Sequence, residues 1–335
     1  MKLLVYSAKE FEIPFLNQAN NNRHKITYLK DALDSETAIK AANFNAVSIF
    51  SGDDANGIVL EKLWDLGVKY IVIRSTGFNN IQIKPAYQLG FKIANAPNYS
   101  SHAIAEHATG LLLALNRKLI LADKQVHQSN FLLDDLMGFN LHGKTVGIIG
   151  TGSIGSVMAK IMHGFGCKII AHDLKPNIDL VELCNVKYTS FEEVCRQADI
   201  ITLHIPLSYE NHQLISEKQF SLMKKNVILI NTSRGAIIEH KSLIQALEQQ
   251  LIAGYGADVY EKEKGIFFRD HSKNGIKDGQ LNRLLSFSNV LLTPHQGFVT
   301  VEALESIANI TIQNLNEFEE NKTCQNEIGY ETLIL

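Results

Sequence analysis

The sequence predicts an α/β protein built on two doubly wound parallel sheets. Three observations carry this. The chain has 335 residues, which at about 150 residues per domain leaves room for two domains. Short β-rich runs alternate with helical patterns from one end to the other, as expected of parallel sheets covered on both faces. The alternation starts afresh in mid-chain, at Lys144, on a strand that runs into a glycine-rich turn.

In the first series, residues 3–6, 46–50, 70–74 and 91–94 read as buried strands, and residues 57–66 and 84–89 as helices between them. A long helix follows over residues 101–127, and its dense apolar stretch at 111–115 predicts that much of it is buried. The second series has strands at 145–149, 168–172, 199–204, 226–231, 253–258 and 289–293. A last helix covers about 300–319, ahead of a polar tail. Residues 262–283 are charged, contain glycine and lack clear periodicity. That is long for a loop in a compact domain, and such a length belongs either to a functional segment or to a solvated excursion.

Composition narrows the function. Apolar residues make up 45% and charged residues 20%, ordinary for a globular protein with real cores. The net charge of −3 gives no electrostatic footprint for nucleic acid or an anionic membrane. It does not bear on small anionic substrates, which need only one or two cations. Cys167, Cys184, Cys195 and Cys324 form no CxxC pair and have no histidine at zinc-finger spacing, so no metal site is expected. They read as reduced thiols, which points to the cytoplasm. No apolar run reaches the ~18–20 residues of a membrane span, and Lys9 and Glu10 interrupt the apolar start before a signal sequence can form.

The turn that opens the second series is Gly150-Thr151-Gly152-Ser153-Ile154-Gly155. This is a GxGxxG run directly after a strand and at the start of a helix. Gly150 allows the tight turn, Gly152 lets the backbone approach a pyrophosphate, and Gly155 lets helix and strand pack closely. The N–H groups of Ser153 and Ile154 would face the anion at the positive helix end. The next strand ends in Asp173, 18 residues beyond Gly155 and close to the ~20 expected of a ribose-binding carboxylate. A carboxylate there accepts from ribose hydroxyls and repels a 2′-phosphate, so NAD is expected rather than NADP. Lys175, two residues on, softens that discrimination.

Four further stretches follow: Leu203-His204-Ile205-Pro206-Leu207, Asn231-Thr232-Ser233-Arg234-Gly235, Asp258-Val259-Tyr260-Glu261-Lys262-Glu263, and Leu292-Thr293-Pro294-His295-Gln296-Gly297-Phe298. In this order and spacing the chain resembles the D-isomer-specific 2-hydroxyacid dehydrogenases, and within them the fermentative D-lactate branch of bacteria. Arg74-Ser75-Thr76-Gly77-Phe78-Asn79-Asn80, Ala105-Glu106-His107-Ala108 and Ile266-Phe267-Phe268 add to the likeness, which runs over nearly the whole chain.

The resemblance implies a flavodoxin-like substrate domain that is discontinuous, residues 1–100 plus 299–335, and a Rossmann-type NAD domain at 101–298. The active site is then expected in the cleft between them. It implies reversible, NADH-dependent reduction of a 2-keto acid, pyruvate first, with a larger keto acid such as phenylpyruvate or 2-ketoisocaproate as the alternative. A remote alternative is an NAD-sensing module without catalysis, although the chain keeps all three residues of the reaction. Those are Arg234, His295 and Glu263. Arg234 presents a guanidinium fork to the substrate carboxylate and polarises the carbonyl. His295 is the acid/base, and Glu263 orients it and favours the imidazolium. The family's spacing of 29 residues from arginine to acid selects Glu263 over Glu261.

Further roles are implied in the same way. Ile205, Pro206 and Asn211 would contact the adenosine side; Ile205 departs from the usual Val or Cys but stays apolar. Thr232, Ser233 and Arg234 would line the nicotinamide ribose, with Asp258 near the nicotinamide. The N–H groups of Thr76 and Gly77 would hold the substrate carboxylate, with Tyr99 beside the substrate and Phe298 limiting its side-chain pocket. His204, which the resemblance places beside the cofactor, reads as structural or a minor contact, and His107 as a packing or capping group. Relatives are dimers or tetramers, so a homo-oligomer joined through the helical segment at 101–127 is expected, with no nucleic-acid or membrane partner.

Overall fold

The computed structural model describes residues 1–329; the tail at 330–335 lies outside the described residues. The chain divides into two compact units, Met1–Ser100 with Val299–Leu335, and Ser101–Phe298. Each is an all-parallel α/β layer structure.

The first unit begins with β1 (Lys2–Val5), α1 (Ile13–Asn20), β2 (Lys25–Tyr28), a 3₁₀ turn at Thr37–Ala41, β3 (Ala46–Ile49), α2 (Gly57–Asp65), β4 (Tyr70–Ile73), α3 (Ile83–Leu89) and β5 (Lys92–Ala94). The strand order is β2-β1-β3-β4-β5, the flavodoxin-like winding. β3 is buried at every residue because both faces of the sheet are covered. On one face Val47, Ile49, Ile71 and Ile73 meet Val59, Leu60 and Leu63 of α2. On the other, Leu3, Val5 and Val72 belong to a core with Leu16 of α1 and Ile312, Leu315 and Phe318 near the chain's end. Asn56 starts α2 by accepting from the Ile58 and Val59 N–H groups.

The second unit holds α4 (Ser101–Asn116), α5 (Leu119–His127), β6 (Thr145–Ile149), α6 (Ser153–Gly164), β7 (Lys168–His172), α7 (Asp179–Cys184), β8 (Lys187–Tyr188), α8 (Phe191–Gln197), β9 (Ile200–Leu203), α9 (Glu217–Leu222), β10 (Ile228–Asn231), α10 (His240–Glu248), β11 (Gly254–Ala257), α11 (Gly279–Leu285) and β12 (Val290–Leu292). Its order, β12-β11-β10-β9-β6-β7-β8, is the doubly wound dinucleotide arrangement with one extra strand, and the winding reverses between β6 and β9. The chain then returns to the first unit as α12 (Val301–Glu319), which Thr300 caps by accepting from the Ala303 N–H.

Several expectations need correction. The long helix expected at 101–127 is two helices, broken at Lys118, whose φ of +53° cannot continue a right-handed helix. Burial is confined to α4, where Leu111, Leu112 and Leu115 are inside, whereas α5 buries no residue. The segment expected to be irregular at 262–283 ends in α11, started by the Asp278 side chain accepting from the Leu281 N–H. α1, β2 and β8 are additional to the elements expected from the sequence. No helix among the described residues is long and apolar enough to cross a membrane, and no cluster of three or more His, Cys, Asp or Glu there could hold a metal.

Candidate active site

Parallel strands leave their loops at one edge, and the carboxyl edge of the second unit carries most of the polar motifs. His295 follows β12, the 258–263 segment follows β11, Arg234 follows β10, His204 to Pro206 follow β9, the glycine turn follows β6 and Asp173 follows β7. Six adjacent strand ends thus present the motifs in spatial order, although they are scattered in sequence.

His295 and Glu263 are brought together. Nδ1 of His295 lies 2.8 Å from Oε2 of Glu263. A carboxylate only accepts, so Nδ1 carries the hydrogen in this bond and Nε2 is turned away from it. The other oxygen of Glu263 accepts from the Tyr260 N–H at 2.9 Å, which fixes the carboxylate's rotation. Both side chains are about one-fifth exposed, 22% and 23%. His295 has a φ of +57°, an uncommon backbone state for a non-glycine residue.

The loop bearing His295 is held from beneath by Asp258. One carboxylate oxygen accepts from the Thr293 hydroxyl at 2.6 Å and the Gln296 N–H at 2.8 Å, the other from the Gly297 N–H at 2.7 Å. Nε2 of His107 lies 3.4 Å from the carboxylate and 2.9 Å from the Thr293 hydroxyl. Because that hydroxyl gives its proton to Asp258, His107 donates to it. Burial pushes the Asp258 carboxyl up, but His107, Thr293 and the two backbone donors outweigh it and hold the group below the usual carboxylate range. Sequence reasoning missed this network. His107, read as a packing or capping group on a helix, is a hydrogen-bonding partner of the loop that carries His295, and Asp258 spends its acceptors on that loop.

Arg234 is placed by an Asn-centred turn. Asn231 Oδ1 accepts from the Ser233 N–H and hydroxyl, both at 3.0 Å, and its Nδ2 donates to the Arg234 carbonyl at 3.0 Å. The guanidinium donates to the Ser233 carbonyl at 2.7 Å. Glycine is required next: a Cβ at 235 would lie 2.2 Å from the Tyr260 carbonyl carbon and the Glu261 nitrogen. The arginine turn is therefore seated against the segment that leads to Glu263.

The glycine turn behaves as its motif requires. Gly150 has a φ of +90° and Gly155 brings the helix against it, since a Cβ at 155 would lie 1.9 Å from the Gly150 carbonyl oxygen. A Cβ at Gly152 would meet no atom within 4 Å, so the backbone there is open to a close approach. α6 starts at this point and directs its positive end outward, with Ser153 and Ile154 as its first residues. Asp173 accepts from the Thr151 N–H at 2.5 Å, the Thr151 hydroxyl at 3.0 Å and the Lys175 N–H at 2.8 Å. Burial raises its pKa, these bonds lower it, and the bonds prevail, holding the carboxyl below the usual carboxylate range.

Ile205 reaches the turn, its Cγ2 only 2.7 Å from where a Cβ at Gly150 would be. Asn211 secures its own loop, donating to the Pro206 carbonyl at 2.6 Å and accepting from the Ser208 N–H at 2.8 Å. The Thr232 hydroxyl is buried and has no hydrogen-bond partner among the described residues. An orphaned hydroxyl, an open glycine and an ionised acid along one strand edge fit a dinucleotide. His204 is half-buried; desolvation pushes its pKa down to about 4, so it stays neutral.

Thr76 and Gly77 lie in the first unit, in a turn beyond β4 where Ser75 donates to the Gly77 carbonyl at 2.7 Å and Thr76 to the Ala96 carbonyl at 3.1 Å. Arg74, at the base of this turn, is buried and donates to Glu12, Ser48 and the Tyr6 carbonyl. Tyr99 is half-buried at the end of the first unit, and Phe298 is buried in the second.

The chain is similar to known proteins in sequence and in fold. Residues 109–297 match the family model described as D-isomer specific 2-hydroxyacid dehydrogenase, NAD binding domain. The chain is 43% identical to D-lactate dehydrogenase of Escherichia coli strain K12 over 98% of this chain and 100% of that protein. It is 40% identical to an aromatic 2-oxoacid reductase of Clostridium sporogenes, over 98% of this chain and 99% of that one. The apo-structure of the Escherichia coli D-lactate dehydrogenase superimposes with a TM-score of 0.89 at 41% identity, covering 98% of this chain and 100% of that chain.

Proposed function

We propose that this chain, which belongs to the D-isomer specific 2-hydroxyacid dehydrogenase family and is an NAD-dependent oxidoreductase, reduces pyruvate to D-lactate and runs the reverse reaction. The observation that carries the reading is the 2.8 Å bond between His295 Nδ1 and Glu263, which leaves the outward Nε2 available for proton transfer.

NADH, when bound, would supply the hydride for the carbonyl carbon. Gly150, Gly152, Ser153, Ile154 and Gly155 would hold its pyrophosphate and Asp173 its adenosine ribose. Ile205, Pro206 and Asn211 would flank the adenosine, and Thr232, Ser233, Arg234 and Asp258 would serve the nicotinamide end. Arg234 clamps the substrate carboxylate with two parallel N–H groups and faces the negative charge that develops on the carbonyl oxygen. His295, protonated, gives its Nε2 proton to that oxygen, and Glu263 balances the imidazolium and holds its tautomer. In the reverse direction, neutral His295 takes the hydroxyl proton. Thr76 and Gly77 offer backbone N–H groups to the carboxylate, and Tyr99 and Phe298 limit the substrate's side chain.

Pyruvate is favoured by the 43% identity over the full length of a D-lactate dehydrogenase. The aromatic 2-oxoacid reductase at 40% supports the second reading, a larger 2-keto acid. A panel of pyruvate, phenylpyruvate and 2-ketoisocaproate, followed by loss of NADH absorbance, decides between them. The pyruvate reading requires the highest kcat/KM for pyruvate; a tenfold preference for phenylpyruvate reverses it.

We further assign the enzyme to a homo-oligomer. Ile120 is 63% exposed, Phe131 71%, Leu133 76% and Met137 85%, and this apolar run extends over α5 and the loop after it, where a second copy would cover it. Four free, buried thiols suit a reducing compartment, and we place the enzyme in the cytoplasm.

A further inference from the structure

The middle residue of the first half of the glycine motif, Thr151, does more than fill a turn. It is 3% exposed, and both its N–H and its hydroxyl donate to the same oxygen of Asp173. A hydroxyl has one proton, so with Asp173 taking it, Thr151 Oγ1 is left to accept. The phenol of Tyr188 on β8 donates to it at 3.0 Å, in competition with the Asn177 carbonyl at 3.1 Å. The Tyr188 oxygen in turn accepts from the Asn177 N–H at 2.9 Å. Asn177 Nδ2 donates to the Ser156 hydroxyl at 3.2 Å, and that hydroxyl donates to the Thr151 carbonyl at 2.8 Å. Whenever the phenol proton is on Thr151 rather than on the Asn177 carbonyl, the bonds run from Asn177 through Tyr188 and Thr151 to the carboxylate, and each donor polarises the next.

The network has a consequence for cofactor choice. Two donors occupy one oxygen of Asp173, and the Lys175 N–H occupies one position on the other. The carboxylate is thereby fixed in rotation, with its remaining acceptor capacity on the second oxygen. A carboxylate rejects a 2′-phosphate only if it is held where that phosphate must sit, and Lys175, two residues away, would welcome the phosphate if the carboxylate swung aside. We propose that Thr151, polarised by Tyr188, is a specificity-determining residue that locks Asp173 against NADPH. This rests on the reading of Asp173 as the ribose carboxylate.

The test is equilibrium binding, measured by nucleotide fluorescence on the whole enzyme without keto acid. Dissociation constants for NADH and NADPH are compared in wild type, Thr151→Val, Thr151→Ser, Tyr188→Phe and Asp173→Ala. Thr151→Val keeps size and the N–H but removes the hydroxyl. It should lower the NADPH-to-NADH ratio of dissociation constants about tenfold, chiefly through weaker NADH binding. Thr151→Ser should keep the ratio within about twofold, and Tyr188→Phe should lower it about threefold. If Asp173→Ala collapses the ratio while Thr151→Val and Tyr188→Phe leave it at the wild-type value, Asp173 acts alone and the proposal falls. Equal weakening of both nucleotides in Thr151→Val also overturns it, since that marks a damaged turn. A wild-type ratio in Asp173→Ala removes the ribose reading itself. Should Thr151→Val not fold, Tyr188→Phe decides, because it leaves every atom of the turn in place.

Discussion

The carboxylate of Asp258 holds the loop of His295 from both sides, through the Thr293 hydroxyl before it and the Gln296 and Gly297 N–H groups after it. The imidazole is therefore constrained twice, by Glu263 at its ring and by Asp258 at its backbone. A proton donor must reach its target to within a hydrogen bond, and this double constraint is what a mobile loop histidine would lack.

On the proposed role of His295, its removal should abolish the chemistry and spare nucleotide binding. His295→Ala is expected to lower kcat by about 10³-fold while the NADH dissociation constant stays within about twofold. Glu263→Gln should lower kcat by about 10²-fold, because an amide neither balances the imidazolium nor enforces the Nδ1–H tautomer. Stopped-flow reduction rates and NADH titration check both. A His295→Ala enzyme with wild-type kcat would end the acid/base assignment.

Arg234→Lys should raise KM for pyruvate and lower kcat together, for a combined loss of about 10²-fold in kcat/KM. An ammonium keeps the charge but not the two parallel donors. Steady-state kinetics over a range of pyruvate concentrations would show it, and an unchanged kcat/KM would mean that another group binds the carboxylate.

Stability in acid should report on Asp258. Its pKa is held below the ordinary range in the folded protein. Its contribution is therefore complete above the unfolded value of about 3.9 and is lost as pH falls through the lower folded value. Asp258→Ala should destabilise the protein by about 3 kcal/mol at pH 7 and show a smaller further loss between pH 5 and pH 3 than wild type. Thermal melts across that range measure the difference; parallel curves for the two proteins would contradict it.

The exposed apolar run should set the oligomeric state. Phe131→Asp combined with Leu133→Asp is expected to shift the enzyme to monomers in light scattering, with the secondary structure of each unit unchanged. A double variant that keeps the wild-type mass would place the interface elsewhere.

How much of this was legible beforehand depended on the range of the interactions. Strands 145–149 and 168–172 were readable to the residue because they are apolar runs ending at a glycine and an aspartate. β2 was not, since Lys25–Tyr28 is an edge strand with half its residues exposed, and β8 has two residues. The break at Lys118 left no proline or glycine as a signal. Glu263 and His295 could be paired only through a recognised motif, because nothing local links positions 32 apart. The partnerships of His107 with Thr293 and Tyr188 with Thr151 arise where strand ends meet in space. Periodicity does not carry that information.

Two glycines of one turn would fail in different ways. A methyl group at Gly155 collides with the Gly150 carbonyl oxygen, whereas one at Gly152 touches nothing within 4 Å and sits on a backbone with φ of −63° that alanine accepts. Gly155→Ala would thus cost the cell the protein itself. Gly152→Ala would leave a full complement of intact but nucleotide-blind protein, so the second allele separates loss of binding from loss of the fold, which a simple gene deletion cannot do.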